Sequence, residues 1–566
     1  MTKAAKFLTL IVLFLLTGTS YVFACSNIIV TRGASKDGSV MVTYSADSHV
    51  LYGQLYYRPA RIYPAGAMMD IYEWDTGKYL GQIAQALQTY QMVGNMNEHQ
   101  LIITETTFGG RPELYDSTGI MDYGSLIFTT LQRAKTAREA IDVIAGLLDE
   151  YGYASSGESF SIADKNEAWI MELIGKGTKM VDGKNVNKGA VWVARRIPDG
   201  YICAHANQSR IDKFPLKDKE NCLYSKDVIS FAREMGYFDG KDKDFSFCDA
   251  YAPADFGALR YCEARVWSAF NQLGQGMFND QKAESYLDFA MGENKSNKMP
   301  LFIKPAEKVD VKQVADAMRD HYEGTPMDMT ADLTAGRYSS PYRLCPLVYD
   351  IDGEKYFNER PLATQQSGYW MLGQARSWLP DEIGGILWFG VDDAANSCLT
   401  PVYTNTDIIP ENFAEGNGSI IEYSSTSAFW LFNRVANFAY QFYAHIHPEI
   451  AKAADEFEME SFKLVAETDA KAMEALQNGN EYDKAIDIIS EFTSRRAAQL
   501  FDRWTELDHY LLVRFTDGNI KKLNEDGTFM NNGNQPDMAP SPVRPGFSDE
   551  FKKVIKEKTG ERYTVK

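Results

Sequence analysis

The stretch YVFACSNIIVTRGASKDGSV, residues 21–40, places a cysteine immediately before a predicted β-strand. Residues 27–31 are rich in β-branched side chains, and the loop after them contains Asp37-Gly38, a dipeptide typical of tight turns. Residues 39–45 then return to Val, Met, Thr and Tyr. The pattern predicts a β-hairpin that begins within two residues of Cys25.

Residues 1–24, which precede this hairpin, have the pattern of a secretion signal. Lys3 and Lys6 come before an apolar run at 7–16, and residues 22–24 (VFA) fit a signal-peptidase site. The apolar run is about half of the roughly 20 residues that a bilayer span needs. We therefore predict an exported protein, periplasmic or secreted, with no membrane association after removal of the signal.

The composition argues against nucleic acid as a partner. The formal net charge is −19, and removal of residues 1–24 takes away two lysines and no acid, which makes it −21. A nucleic-acid-binding protein needs a basic face instead.

The chain contains seven cysteines, an odd number for an exported protein. Cys25 aside, six remain that could form up to three disulfides, with a pairing that spacing does not determine: Cys203, Cys222, Cys248, Cys262, Cys345 and Cys398. None of them forms a CxxC pair, and His445 and His447 do not share a helix face. We therefore expect neither a metal site nor a cofactor.

Strand patterns alternate with helical patterns over most of the chain, which favours a mixed α/β body. No Pro-, Ser- or Gly-rich linker divides it. Helical periodicity is predicted over 126–148, and again over 428–444, 448–476 and 481–515. The predicted organisation is a main body over 25–425, a helical extension over 426–515 packed on the same body, and a polar tail over 516–566.

Cys25 allows three interpretations. It could be a small buried apolar side chain, the usual state of a free cysteine. It could carry a lipid anchor, although Phe23 fits a lipobox poorly and the strand leaves no room for a polar tether. It could also be an N-terminal nucleophile. An α-amine has a pKa of roughly 7.7–8.0, so one residue could supply both thiol and base. His205, beside Asn207 at a strand end, is the second candidate base.

Several separated blocks carry a family resemblance. They are CSN at 25–27 with the turn at 33–39, NEHQL at 97–101 leading to ETT at 105–107, IAD at 162–164 with EAWIME at 167–172, WVAR at 192–195 with HANQ at 205–208, and ILW at 386–388 with PVY at 401–403. In these blocks the sequence resembles the dipeptidase branch of the cysteine-type N-terminal nucleophile hydrolases, which includes the secernins. Penicillin V acylase and choloylglycine hydrolase are more distant relatives.

The resemblance implies an α+β fold, a four-layer αββα sandwich of the N-terminal nucleophile hydrolase type with an added C-terminal helical region. It implies hydrolysis of amide bonds in small peptides through a thioester on Cys25, once signal peptidase or autoprocessing exposes that residue. Asn207 would stabilise the oxyanion, and Asp47 would orient the Cys25 amine. A homo-oligomer is possible.

One position departs from the acylase pattern. The acylases have an arginine three residues before the acidic residue, and this chain has Tyr44 there. Arg265 could supply the missing cation, with Arg260 or Arg343 as further candidates. Thr106 and Thr107 could line the cleft, and Tyr44 and Arg265 are expected to contact the substrate beside them. The expectation is a dipeptidase. An N-acyl amide hydrolase and a lipoprotein with a binding role stay open as alternatives.

Overall fold

A computed structural model of the protein describes residues 25–477 and 481–566. The predicted secretion signal lies outside the described residues. The strands are β1 (Asn27–Val30), β2 (Val40–Asp47), β3 (Tyr57–Arg58), β4 (Arg61–Ile62), β5 (Met68–Tyr72), β6 (Tyr79–Ala84), β7 (Gln88–Thr89), β8 (Met92–Val93), β9 (Met96–Asn97), β10 (Ile102–Gly109), β11 (Gly157–Ala163), β12 (Ala168–Gly175), β13 (Met180–Val181), β14 (Lys184–Asn185), β15 (Ala190–Arg196), β16 (Ile202–His205), β17 (Cys222–Tyr224), β18 (Met277–Phe278), β19 (Gln281–Lys282), β20 (Phe302–Ile303), β21 (Val348–Ile351), β22 (Glu354–Phe357), β23 (Ser367–Ala375), β24 (Gly385–Val391) and β25 (Thr400–Tyr403).

The helices of the described residues follow the same chain order. They are α1 (Tyr123–Leu131), α2 (Ala137–Tyr151), α3 (Val228–Glu234), α4 (Phe247–Tyr251), α5 (Ala264–Leu273), α6 (Leu287–Ala290), α7 (Val311–Met318), α8 (Asp381–Gly384), α9 (Ala428–Gln441), α10 (Tyr443–Gln477), α11 (Tyr482–Phe515) and α12 (Asp549–Thr559). Within the described ranges, none of them combines the length and the apolar character that a bilayer span requires.

Two antiparallel sheets dominate the fold. One has the strand order β20-β16-β1-β2-β23-β24-β25, and the other β17-β15-β12-β11-β10-β9-β8-β3. The predicted hairpin is confirmed, since β1 pairs with β2 through Ile29 and Val42. On its other side β1 pairs with β16, with Asn27 opposite His205. The residue that precedes β1, Cys25, therefore lies near the middle of the seven-stranded sheet.

Side chains along each strand point alternately to the two faces of the sheet, so the core consists of separate apolar clusters on these faces. Ile29 of β1 and Ile102 of β10 belong to one apolar cluster that both sheets share, whereas Ile28 and Ile103 point to the opposite faces. A Cβ on Gly373 of β23 would lie 3.0 Å from Cδ1 of Ile102, so a glycine there lets the two sheets approach closely.

Helices cover the outer face of each sheet. Side chains of α1 and α2 pack with the outer residues of the eight-stranded sheet. Those of α5 and α7 pack on the seven-stranded sheet, where residues of α10 and α11 join the same cluster. The long helices also contact the edge strand β25. Thr493 Oγ1 of α11 accepts from the Tyr403 N–H over 3.3 Å, and Asp469 of α10 accepts from the Tyr403 hydroxyl over 2.7 Å.

Two sequence expectations need correction. The helix expected over 126–148 is two helices, because Thr136 accepts a hydrogen bond from the Glu139 N–H and caps α2. The helix expected from Pro448 begins at Tyr443, and burial of Tyr443 and Ile446 compensates for the donor that proline lacks. Within the predicted polar tail the structure shows α12, whose first turn is capped by Ser548.

The cysteines form no disulfide in the part of the chain that the structure describes. All seven are free, six of them are buried, and Cys345 is exposed.

Candidate active site

The pocket beside Cys25 has a volume of about 300 Å³. It opens between the start of β1, the end of β2 and the β10 strand of the other sheet. Its walls are formed by Cys25, Tyr44, Ala46, Asp47, Ser48, Val50, Leu51, Tyr56, Trp74, Asp75, Glu105, Thr107, Tyr123 and Tyr369. Four residues that were singled out in the sequence therefore meet here: Cys25, Tyr44, Asp47 and Thr107.

The thiol of Cys25 contacts one residue of each sheet. Its sulfur lies 3.7 Å from the hydroxyl oxygen of Tyr44 on β2 and 3.6 Å from Oε1 of Glu105 on β10. The Tyr44 hydroxyl donates to the same Oε1 over 2.6 Å. Burial raises the pKa of the Cys25 thiol well above its ordinary value, and the negative charges of Glu105 and Asp47 raise it further. The thiol therefore needs a strong local base before it can act as a nucleophile.

Glu105 is a site residue to which sequence reasoning gave no role. Burial raises its pKa to about 7, although the hydrogen bond from Tyr44 counteracts part of this effect. Glu158 lies close to it on β11, and burial together with the charge of Glu105 raises the pKa of Glu158 well above its ordinary value. Thr107 Oγ1 donates to Glu158 over 2.7 Å. The sequence did contain one signal for this residue, an acidic side chain inside an apolar strand. A buried carboxyl without a cation costs folding free energy, so its presence indicates a functional role.

Asp47 ends β2 and is held by an ion pair that the sequence did not reveal. Its Oδ2 accepts from Arg360 over 2.5 Å and from Ser45 over 3.0 Å, and its Oδ1 accepts from Ser367 over 2.5 Å. The backbone N–H of Asp47 also hydrogen-bonds the sulfur of Cys25, which offsets part of the rise in the thiol pKa. Asp47 therefore lies directly beside Cys25.

Arg265 lies behind Cys25 and does not line the pocket, contrary to the expectation of a substrate contact. Its buried guanidinium on α5 donates to the backbone oxygen of Cys25 over 2.6 Å and to Ser26 Oγ over 2.8 Å. A further hydrogen bond of 2.8 Å reaches Oδ1 of Asn207. The arginine therefore connects the backbone of Cys25 with Asn207.

Asn207 follows β16 in the left-handed region, with a φ of 61°, a conformation that asparagine tolerates better than most residues. Its Nδ2 donates to the backbone oxygen of Thr107 over 2.8 Å. One hydrogen of that amide is thus engaged, and the second is not used by this contact.

Thr106 does not line the cleft, which corrects the sequence expectation. Its hydroxyl lies 2.7 Å from Nδ1 of His205, and Ser161 Oγ lies 2.7 Å from Nε2 of the same ring. Asn27 Nδ2 approaches that Nε2 to 3.3 Å. Burial lowers the pKa of His205 to about 3, so the ring is neutral. His205 therefore joins strands of both sheets and is poorly placed to be the base.

The other two arginine candidates form ion pairs elsewhere. Arg260 pairs with Glu359, and Arg343 pairs with Asp332 at 2.9 Å. Neither lines the pocket beside Cys25.

One group among the described residues has metal-ligand spacing, outside this pocket. Ligand atoms of Asp212, Cys248 and Asp249 lie within 4.8 Å of one another. The ammonium of Lys298 is 2.7 Å from both carboxylate oxygens of Asp249 and 3.7 Å from Asp212. A cationic side chain thus already pairs with the carboxylates of this group.

Comparison with known proteins identifies the family of the chain. The family model described as peptidase family C69 matches residues 54–456. The chain belongs to peptidase family C69. The matched segment begins after Cys25, and it includes Glu105, Asn207 and Arg265.

Curated relatives of this C69 chain are similar over most of their length. A probable dipeptidase of Salmonella dublin is 24% identical over 410 residues, covering 69% of this chain and 82% of the relative. Probable dipeptidase B of Lactococcus lactis is 23% identical, with coverage of 72% and 79%. Dipeptidase A of Lactobacillus helveticus is 23% identical, with coverage of 74% and 78%.

Proposed function

We propose that the protein is an exported cysteine dipeptidase in which Cys25, exposed by removal of residues 1–24, is the nucleophile. The observation that carries the proposal is the thiol of Cys25, which lines a pocket on a C69 peptidase body next to Glu105 and Tyr44. The names of the relatives support a dipeptide substrate. We also infer a four-layer αββα arrangement, supported by the cluster between the sheets and by the helices on their outer faces.

In the proposed reaction the α-amine of Cys25 takes the thiol proton, and the sulfur attacks the carbonyl carbon of the peptide bond. The tetrahedral oxyanion collapses to a thioester as the amine gives its proton to the leaving nitrogen. Water then attacks the thioester, with the amine again as base, and restores the thiol. The second amide hydrogen of Asn207, which lies outside the lining of the pocket, is the proposed oxyanion donor, and one such donor is commonly worth about 3–4 kcal/mol.

The size of the pocket agrees with a short substrate. About 300 Å³ lies at the lower end of the roughly 300–1,000 Å³ that small-molecule pockets occupy. A dipeptide with modest side chains fits such a volume.

A two-part experiment tests the proposal. Protein that starts at Cys25 is assayed on a panel of dipeptides and N-acyl amides, and mass spectrometry of its N-terminus distinguishes a free cysteine from a lipidated one. Cys25→Ala should abolish hydrolysis. Because Cys345 is the exposed thiol, Cys345→Ala is the matched control and should stay active. Full activity of Cys25→Ala would exclude the mechanism, and a lipidated Cys25 would favour the anchor.

A further inference from the structure

The pocket beside Cys25 is acidic and lacks a cation among its described lining residues. Three carboxyl groups line it, and no Lys, Arg or His of the described chain does. Asp47 is neutralised by Arg360. Asp75 and Glu105 form no ion pair with any described residue, and the Tyr123 hydroxyl donates to Asp75 over 2.7 Å. The pocket therefore holds two carboxyl groups, Asp75 and Glu105, that no cationic side chain neutralises.

Glu105 shows the same deficit at the level of single atoms. The residue is 1% exposed, and its side chain also hydrogen-bonds the carboxyl of Glu158, which forms no ion pair with a described residue. A buried carboxyl is stabilised by hydrogen bonds or by an opposite charge, and Tyr44 and Cys25 occupy only Oε1. Glu105 and Glu158 thus form a buried pair of carboxyl groups that a cation entering the pocket would stabilise.

The position of Glu105 suits one particular group of a peptide substrate. In an unblocked peptide the α-ammonium nitrogen is two bonds from the first carbonyl carbon, a separation of roughly 2.5 Å. Oε1 of Glu105 lies 3.6 Å from the sulfur that would attack this carbon. A carbonyl in reach of the thiol therefore places its neighbouring ammonium in reach of Glu105.

Aromatic rings complete the surroundings that an ammonium favours. Tyr56 and Trp74 line the pocket in an edge-to-face pair with ring centroids 5.0 Å apart, and Tyr123 stands beside Asp75. The faces of such rings attract cations. The free-energy cost of removing an ammonium from water is therefore smaller when carboxylates and aromatic rings surround it.

We propose that Glu105 and Asp75 form the subsite for the substrate's α-ammonium, so that the enzyme selects peptides by their free N-terminus. This rests on the proposed function, because it assigns the carbonyl next to that ammonium to attack by Cys25. The described pocket offers no cationic side chain to the carboxylate of a dipeptide, so the C-terminal end contributes less to selection. Blocking the amine then costs more activity than blocking the carboxylate.

A matched substrate pair isolates the ammonium. Alanyl-alanine and N-propionyl-alanine differ only in the amino group, and alanyl-alanine amide removes the carboxylate charge instead. Processed enzyme should prefer alanyl-alanine over N-propionyl-alanine by about 100-fold in kcat/KM, the size expected when a charge-assisted contact is lost. Amidation should cost less than about tenfold by the same reasoning, since no buried partner is left unpaired.

The variants test the two carboxyls. Glu105→Gln and Asp75→Asn should each reduce the preference for alanyl-alanine over N-propionyl-alanine, whereas Glu73→Gln should preserve it. Glu73 is a suitable control because it lies two residues from Asp75 but does not line the pocket. Equal losses on both substrates in Glu105→Gln would overturn the assignment of Glu105, since that result means an effect on Cys25 alone.

Binding separates this inference from the proposed function. Calorimetry with processed Cys25→Ala protein should give a lower dissociation constant for alanyl-alanine than for N-propionyl-alanine. This expectation holds whether or not the wild-type protein hydrolyses either compound. Preferential binding without hydrolysis by the wild type would contradict the peptidase proposal and support the subsite. Hydrolysis of both substrates at equal kcat/KM, with equal binding, would support the peptidase and overturn the subsite.

Discussion

Arg265 joins Cys25 and Asn207 through one guanidinium, with hydrogen bonds of 2.6 Å to the backbone oxygen of Cys25 and 2.8 Å to Oδ1 of Asn207. Only the planar fork of arginine can serve both acceptors in fixed directions. The separation between the nucleophile's backbone and the proposed oxyanion donor therefore depends on this side chain.

The first prediction concerns that fork. Arg265→Lys keeps the positive charge but cannot donate to Cys25 and Asn207 in the two directions that the guanidinium provides, so kcat should fall by about 10- to 100-fold. KM should change little, because the side chain lies outside the pocket. Steady-state kinetics on a dipeptide measure this, with Arg260→Lys as control. A raised KM at unchanged kcat would instead indicate that Arg265 binds substrate.

The second prediction concerns the start of the chain. While residue 24 is attached, the Cys25 nitrogen is an amide and cannot accept the thiol proton. Protein with one extra residue before Cys25 should fold and hydrolyse nothing, and proteolytic exposure of Cys25 should restore activity without refolding. Two preparations that differ only in this residue, assayed over pH 5–9, measure the effect. Equal rates would show that the amine is not the base.

The third prediction concerns the proposed oxyanion donor. Asn207→Ala should lower kcat by about 100-fold and affect KM much less, because an oxyanion exists only along the reaction path. Asn207→Asp is the shape-matched comparison and should be equally impaired. Since the Asn207 amide also holds the Thr107 backbone, circular dichroism and thermal unfolding must show an intact fold. Wild-type kinetics in Asn207→Ala would remove this role.

The fourth prediction separates structure from catalysis at His205. His205→Gln should lower the free energy of unfolding, because the hydrogen bonds to Thr106 and Ser161 would be lost or distorted. The residual activity should keep the wild-type pH profile, since a ring whose pKa burial has lowered to about 3 does not titrate near neutral pH. A displaced acid limb of kcat/KM would identify His205 as a base.

The fifth prediction follows from the pKa of Glu105, which burial raises from 4.5 to about 7. Between these values the unfolded chain is ionised while the folded protein keeps the proton, so raising the pH favours unfolding. Glu105→Gln removes this contribution. Its free energy of unfolding, relative to wild type, should rise between pH 4.5 and 7 by at most about 3 kcal/mol and stay constant above. Urea titrations at pH 5 and pH 8 test the sign.

Local sequence features were sufficient to predict much of the fold. The hairpin beside Cys25, the alternation of strands with helices and the C-terminal helices all follow from patterns within short windows. Errors arose where a cap or tertiary burial decided the outcome, as at Thr136 and Pro448. The placement of Cys25, Tyr44, Asp47 and Thr107 in one pocket required the family resemblance, because no local pattern brings these strands together.

The missed residues share a physical cause. Arg360 lies 313 positions from the Asp47 carboxylate that it binds, and spacing cannot reveal a pair of that kind. Glu105, Thr106 and Thr107 are consecutive residues of one strand, and their side chains point alternately to the two faces of the sheet. Without the register, the sequence could not show that Glu105 and Thr107 face the pocket while Thr106 faces His205.

The two long helices over β25 also bear on how the protein behaves at high concentration. A terminal strand with free backbone donors is a template on which further chains can add, and covering it is a common protection against aggregation. Here a side chain of α11 accepts from the Tyr403 N–H, so that donor is no longer available to a second chain. A chain truncated before α9 would lose this protection, and we expect it to form insoluble assemblies even where the strands around Cys25 can still pair.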